Sequence, residues 1–226
     1  MLKVLSAGAA KAVVNGVSEQ AGIALGASFG AVGVMKDRLT AGEACDVIAL
    51  TREMIEELVA ANLVADDTVG PLGCVRTGVA IKSGLTPPDI AQAGGLRSVL
   101  LAADAIYVPD LRRSTAGRHI ASVLDALGIA TEVGPRVQEF PNGATAMRAM
   151  ADAHGSRAVG CTQVSEILYT MGVTLVGPLP PEYELATEYS AAVCVGAADA
   201  AGARRFVSLL TGDSTRDLRT KAGFEL

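Results

Sequence analysis

The chain has no tryptophan, only two histidines and 4% aromatic residues in 226 positions. So small a ring surface argues against a sugar ligand, which stacking would hold. No apolar run reaches the roughly 20 residues that a membrane helix needs, so membrane insertion is not expected. Its 19 Lys and Arg against 24 Asp and Glu give a net charge of −5 and a sequence pI of about 5.1. A nucleic acid partner is not expected either, because phosphate tracking needs clustered cations to displace counterions. The four cysteines, Cys45, Cys74, Cys161 and Cys194, stand far apart, and the close Cys or His pairs of a metal site are lacking. Each lies in or beside an apolar strand-like run and reads as a buried, reduced thiol. Walker, dinucleotide and HExxH patterns are missing too, and no metal or cofactor is expected. Met1 leads almost at once into a first strand at 3–6, without the basic start and cleavage site of a secretory signal. As the chain stands the expected compartment is the cytoplasm, or the periplasm if a leader has been removed.

What is present is a chain with 50% apolar residues, enough for one large domain or two small lobes. Strand-like runs alternate with amphipathic stretches, which predicts an α/β fold with largely parallel sheets. CDVIALT at 45–51 reads as a buried strand and 52–63 as its helix, with Met54, Ile55, Leu58 and Val59 on one face. The pattern recurs at 105–109 with 119–129, at VQEFP with NGATAMRAMADA, and at AVGCT with QVSEILYT. Two strand-like segments read as lobe crossings: RTGVAIK at 76–82, after a PLGC turn, and the stretch 182–195 after a Pro-rich turn. They predict a discontinuous first lobe, residues 1–77 plus 187–226, and a second lobe of residues 78–186.

Twice a strand-like run empties into a small-residue turn that opens a helix, in KVLSAGAAKAV and in IALGASFGAVGVMKDRL. Such turns aim backbone N–H groups and the positive end of a helix dipole at one spot, which suits an anion. Ligands of open α/β sheets sit beyond the carboxyl ends of the strands. That rule directs attention to Ser6 through Ala10, to Ser28 through Val32, to Thr51, and to the loops at 110–117, 142–144 and 162–166.

The order and wording of these segments resemble the molybdate-binding, type 2 periplasmic solute-binding family. The likeness covers nearly the whole chain: the opening turn, GAVG, LTAGEACDVIALT, STAGRHIASVLDALGI, AVGCTQVSEI, VTLVGPLPPEY and the closing FVSLLTGDSTRDLRTKAGFEL. It implies two α/β lobes joined by two crossings and closing on a ligand in a central cleft. The family's molybdate binders place a Ser after the first strand, a Ser-Ser pair in the second glycine turn and a Tyr in a late loop. Here those positions hold Ala9, Ala31 with Val32, and Gln163. Each lost charge-assisted bond forfeits about 1.5–3 kcal/mol, so an organic carboxylate is expected ahead of molybdate. VLSAG and QVSEI also resemble the aconitate isomerase branch of the same superfamily.

The candidate ligand contacts are therefore Ser6, Gly8, Ala9 and Ala10 in the first turn, Gly30, Ala31 and Val32 in the second, Thr51, and Arg112, Ser114, Thr115 and Gln163. Phe29 offers a wall for an organic ligand, or ordinary core packing. In RRSTAG, Ser114 or Thr115 suits a helix cap, while Arg112 or Arg113 suits a carboxylate clamp. Asn142 reads as an N-cap rather than a ligand contact. Glu166 and His119 have the chemistry of a catalytic acid or base; the plainer readings are capping or pairing for Glu166 and a satisfied helix position for His119. The leading expectation is a solute-binding protein for a small anion, with an ABC-transporter permease as partner if exported. The alternatives are a cofactor-independent isomerase of an unsaturated di- or tricarboxylate on the same scaffold, and a stand-alone regulator that binds the same anion.

Overall fold

In the computed structural model, which describes every residue except Ser156, the chain divides into two compact units: residues 1–75 with 187–226, and residues 76–186. The first unit opens with β1 (Leu2–Ala7), α1 (Lys11–Ala21), β2 (Leu25–Gly30), α2 (Val32–Thr40), β3 (Val47–Thr51) and α3 (Arg52–Ala60). β4 (Gly70–Lys82) carries the chain into the second unit. There follow α4 (Ala93–Ala102), β5 (Ala105–Pro109), α5 (Thr115–Ala126), α6 (Ala130–Val133), β6 (Val137–Phe140), α7 (Gly143–Asp152), β7 (Ala158–Gln163), α8 (Val164–Tyr169) and β8 (Val173–Pro178). β9 (Ala186–Val193), α9 (Ala200–Thr211) and α10 (Arg216–Lys221) complete the first unit.

In the first unit, β1 lies between β2 and β3 and runs parallel to both, while β9 joins β3 antiparallel. Every residue of β3 is buried, as its continuous apolar run requires of a strand covered on both faces. Helix α1 buries Val13, Val14 and Val17, and α9 and α10 pack beside it. The Asp46 carboxylate joins distant parts of the chain: it accepts from the N–H groups of Lys3 at 2.7 Å and of Ala198 at 2.7 Å. Arg219, 4% exposed, donates to the carbonyls of Pro71, Leu72 and Gly212 and so holds α10 against the start of β4.

The second unit is a three-layer sandwich. β7 pairs parallel with β5 and antiparallel with β4; β6 extends the sheet beyond β5 and β8 pairs with β4. On one face Val79, Ile106, Val108, Val159 and Cys161 meet the apolar stripes of α4 and α5. On the other, Ala80, Tyr107 and Ala158 meet Met147 and Met150 of α7 and Ile167 of α8. The alternation of odd and even positions along β4 and β7 between the two faces is the two-residue period of a pleated strand. No disulfide joins any of the four cysteines; Cys45, Cys161 and Cys194 are buried and Cys74 is half-buried. Burial pushes the Cys161 thiol up to about 12, well away from reactivity.

Three boundaries differ from those the sequence predicts. The PLGC segment is part of β4 rather than a turn, because Cys74 exchanges backbone hydrogen bonds with Glu225 at 2.8 Å each way. Gly73 supplies the φ of +118° that this pairing needs, and a side chain there would press on the Glu225 carbonyl. Helix α5 begins at Thr115, four residues before the apolar periodicity suggests, because Ser114 caps it. Helix α3 stops at Ala60, and Asn62 reverses the chain at φ +55°.

Candidate functional site

The in-register ladders of the first unit bring its three candidate turns to one edge. Ser6 pairs with Phe29 and with Ala49, and Ala7 pairs with Gly30, so β1, β2 and β3 end at nearly the same level. Each end opens directly into a helix: β1 through a single 3-10 turn at Gly8–Ala10, β2 through Ala31, and β3 through Thr51. None of the N-cap residues Ala10, Ala31 and Thr51 bonds an N–H through its side chain. A helix start has backbone donors that nothing within the helix can satisfy, and side-chain caps usually take some of them. Here three such starts are gathered at neighbouring strand ends. Gly8, Ala9, Ala10, Gly30, Ala31 and Val32 are all buried, so the lining is small and apolar, and its polarity comes from the backbone.

Two side chains refine this picture. The Ser6 hydroxyl donates to the Ala7 carbonyl at 3.0 Å and is fully buried, so local bonding occupies the donor that the sequence assigns to a ligand. Lys11, the first residue of α1, places its ammonium 5.4 Å from the centroid of the Phe29 ring. A cation at a helix N-terminus opposes the dipole and is ordinarily disfavoured. Here it adds positive charge beside a turn already rich in N–H donors. Lys11 is not among the candidates that the sequence pattern offers; its one signal there is a lysine standing directly after a small-residue turn, where first turns favour Asp or Glu.

Two turns of the second unit are built differently. In the loop after β5, Asp110 Oδ1 accepts the N–H groups of Arg112 and Arg113 at 2.8 Å each, and Ser114 accepts from the Gly117 N–H. Partial burial raises the Asp110 pKa, but the two N–H donors and the flanking guanidiniums outweigh it and hold the carboxyl below its usual range. Arg112 and Arg113 are exposed, and Thr115 is half-buried as the first residue of α5. His119 directs Nε2 to the Tyr183 carbonyl at 2.7 Å, a contact in which the ring nitrogen donates. Asn142 caps α7 by accepting from the Thr145 N–H at 2.9 Å.

Glu166 is the most enclosed carboxylate of this unit, at 5% exposure. Thr162 Oγ1 donates to it at 2.6 Å, and the backbone N–H groups of Ala144, Gly143 and Gln163 also face it. Its carboxyl therefore occupies the start of α7, where the sequence alone would leave room for an external anion. Burial pushes its pKa up against the pull of these donors. A Cβ at Gly143 would overlap both Thr162 Oγ1 and Glu166 Oε2, so this position requires glycine. Gln163 is 3% exposed at the end of β7, directly opposite Thr77 of β4. The Thr77 and Ser165 hydroxyls are buried without a hydrogen-bond partner. Thr77 is another residue the sequence could not flag, since a threonine in a strand looks like ordinary β propensity.

Two cavities within the units are poor anion sites. One of about 480 Å³ in the first unit is lined by Glu56, Asp66 and Glu188 around Arg52, which already pairs with Glu56 at 2.9 Å and Glu188 at 3.2 Å. The other, about 340 Å³ in the second unit, is walled mostly by apolar side chains such as Ile81, Val99 and Val159, and the arginine on its lining, Arg157, already pairs with Asp104 at 2.6 Å. Among the described residues no cluster of His, Cys, Asp or Glu is arranged to hold a metal ion, and no helix is long and apolar enough to cross a membrane.

Comparison with known proteins agrees with this architecture. The periplasmic molybdate-binding protein of Azotobacter vinelandii superposes with a TM-score of 0.80 at 19% identity, over 100% of this chain and 99% of that one. The sulfate-binding protein SubI of Mycobacterium tuberculosis H37Rv gives 0.73 at 18% identity, over 99% of this chain and 85% of its own. These likenesses establish the type 2 periplasmic binding-protein fold. An aconitate isomerase from a Pseudomonas species is 26% identical over 158 residues, 70% of this chain, and the match spans 58% of the isomerase's length. The profile of one family matches residues 2–225, and the chain accordingly belongs to the bacterial extracellular solute-binding proteins.

Proposed function

We propose that this protein binds a small organic carboxylate, and that the first unit grips the charged end. The observation that carries the reading is the set of three helix starts at the ends of β1, β2 and β3, uncapped by side chains and lined by Ala9, Ala31 and Val32. Backbone donors with Lys11 alongside suit a planar carboxylate. A compact tetrahedral oxyanion would want the hydroxyls that these positions lack. The Phe29 ring supplies apolar surface for a carbon skeleton. In the second unit, Gln163 and the loop containing Arg112, Ser114 and Thr115 meet the rest of the ligand.

Binding is favoured over turnover because both candidate acid–base groups are engaged: Glu166 by Thr162 and backbone donors, His119 by the Tyr183 carbonyl. The likeness to an aconitate isomerase supports a di- or tricarboxylate as the ligand class. Family membership supports an exported protein that delivers its ligand to an ABC-transporter permease. The test is a thermal-shift screen with citrate, trans-aconitate, malate, succinate, sulfate and molybdate, since a ligand of the native state raises Tm. Stabilisation by one or more of the carboxylates is expected. Stabilisation by molybdate or sulfate alone would overturn the carboxylate assignment.

A further inference from the structure

Two of the buried cysteines meet in the first unit. β3 and β9 pair antiparallel with Val47 opposite Val193, and the Cys194 N–H carries the ladder one step further by donating to the Asp46 carbonyl at 3.0 Å. Cys194 thus stands opposite Asp46, one residue from Cys45. The chain bends at Asp46, and Cys45 lies back along its own strand with Sγ 3.0 Å from the Val47 carbonyl and 3.8 Å from that of Lys3. There its thiol faces the thiol of Cys194. Opposed residues of an antiparallel pair keep their Cα atoms about 4.5–5.5 Å apart and a disulfide spans about 4.4–6.8 Å, so a small adjustment at the bend brings this pair within bridging reach.

The pair also has a way in. Cys45 and Cys194 are 5% and 3% exposed, yet each is the last buried residue beside an exposed segment, residues 41–44 on one side and Val195 with Gly196 on the other. One carboxylate holds the second segment down: Asp46 accepts the N–H groups of Ala198 at 2.7 Å and of Asp199 at 3.3 Å. Local opening of such a loop costs far less than unfolding the domain. Cys161 is the contrast, a thiol walled in by the apolar core of the second unit.

We propose that Cys45 and Cys194 are a site of oxidation, closing to a disulfide in the folded protein by exchange with a low-molecular-weight disulfide such as oxidised glutathione. The Cys45 thiolate attacks one sulfur of the oxidant, displaces a thiolate and is left in a mixed disulfide. Cys194, on losing its proton, attacks the Cys45 sulfur and displaces the second thiolate. The protein gives up two electrons and two protons, and the oxidant leaves as two thiols. The Cys194 S–H favours the Cys45 thiolate and holds its pKa below the usual thiol value, which fits Cys45 for the first step. The same contact, with burial, pushes the Cys194 thiol up, and the contact is gone once Cys45 is in the mixed disulfide. Proteins of an extracellular family meet oxidants of this kind, and disulfides persist there.

The bridge would reach far along the chain. All of the second unit lies between the two cysteines in sequence, so the bond fastens the two separate stretches of the first unit to each other. A loop that long gives a disulfide its largest constraint on the unfolded chain.

The experiment takes the full chain, reduced and desalted, through native glutathione buffers of rising oxidised fraction. After an acid quench, thiols are counted in denaturant and the bridge is located by peptide mapping. Two of the four thiols are expected to disappear, the linked Cys45 and Cys194 peptides to be recovered, and Tm to rise by several degrees. C45S and C194S should gain no Tm from the same buffers. A wild type that keeps all four thiols, a bridge that maps to another pair, or a Cys45–Cys194 bridge that lowers Tm would each overturn the inference. The wild-type map decides the matter even where a variant fails to fold.

Discussion

Helices that begin at strand ends do so in two ways in this chain. In the first unit, α1, α2 and α3 start at Ala10, Ala31 and Thr51 with no side chain accepting their N–H groups. In the second unit, α5 and α7 are capped by Ser114 and Asn142, and the start of α7 also faces the carboxylate of Glu166, while α8 starts at Gln163 without a side-chain cap. The same strand-turn-helix unit can thus be built open, with its donors left for something external, or closed, with an acceptor supplied by the chain. A small-residue turn is therefore no sufficient sign of an anion site. The test is whether the chain itself supplies the acceptor.

The sharpest way to break the closed arrangement is Gly143→Ala, whose methyl would collide with Thr162 and Glu166 together. Overpacking and the loss of this buried network are expected to cost about 3 kcal/mol, measured as a reduced midpoint in urea unfolding. The converse experiment closes the open unit. Ala31→Asp puts a carboxylate at the start of α2, and anion affinity is expected to fall by about tenfold or more, roughly 1.4 kcal/mol, while circular dichroism reports an unchanged fold. An unaltered affinity would place the anion elsewhere. Ser114→Ala removes one built-in cap and should lower stability by about 1 kcal/mol without weakening first-unit binding, a separation that parallel melts and titrations would reveal.

Lys11→Met removes a cation beside the open turn and is expected to weaken carboxylate binding about three- to fivefold. The difference from wild type should shrink at high salt, as screening predicts. The smallest effect is in the pH dependence of stability. The native pKa of Glu166 is raised, so its contribution is fully present below the unfolded value near 4.5 and is lost as pH rises through the native value. Glu166→Gln should remove that decline, leaving a flatter Tm profile on the alkaline side of 4.5. Asp46 and Asp110 act in the other direction. Their native values lie below the ordinary 3.8, so their stabilisation is present above it and lost as pH falls through those lowered values.

The periodic and punctuated parts of this chain were legible in the sequence. Continuous apolar runs marked β3, β5 and β7, the fold class followed from alternation, and Ser114 and Asn142 announced themselves as caps by residue type and position. What stayed hidden depended on partners far away in sequence. The segment PLGC looks like a turn until Glu225 arrives to pair with Cys74. Glu166 offers several local readings, and only the approach of α7 to β7 assigns its carboxylate to Gly143 and Ala144. Ser6 looks like a free hydroxyl until its bond to the neighbouring carbonyl is seen. Thr77 carried no signal, because what distinguishes it is the lack of a partner, which only packing reveals.

The ladder that aligns β1 with β2 and β3 has a consequence for how such a protein changes over time. A slip of one residue in β1 would move its turn by about 3.3 Å relative to the others, farther than a hydrogen bond tolerates, and would turn every side chain of the strand to the wrong face. Insertions and deletions within these strands are therefore closed to a lineage exploring new ligands. Substitution in the short turns remains open, because there the backbone is held by the sheet and the side chains are free to be exchanged. Diversity of ligand on a constant scaffold is what that division of labour allows.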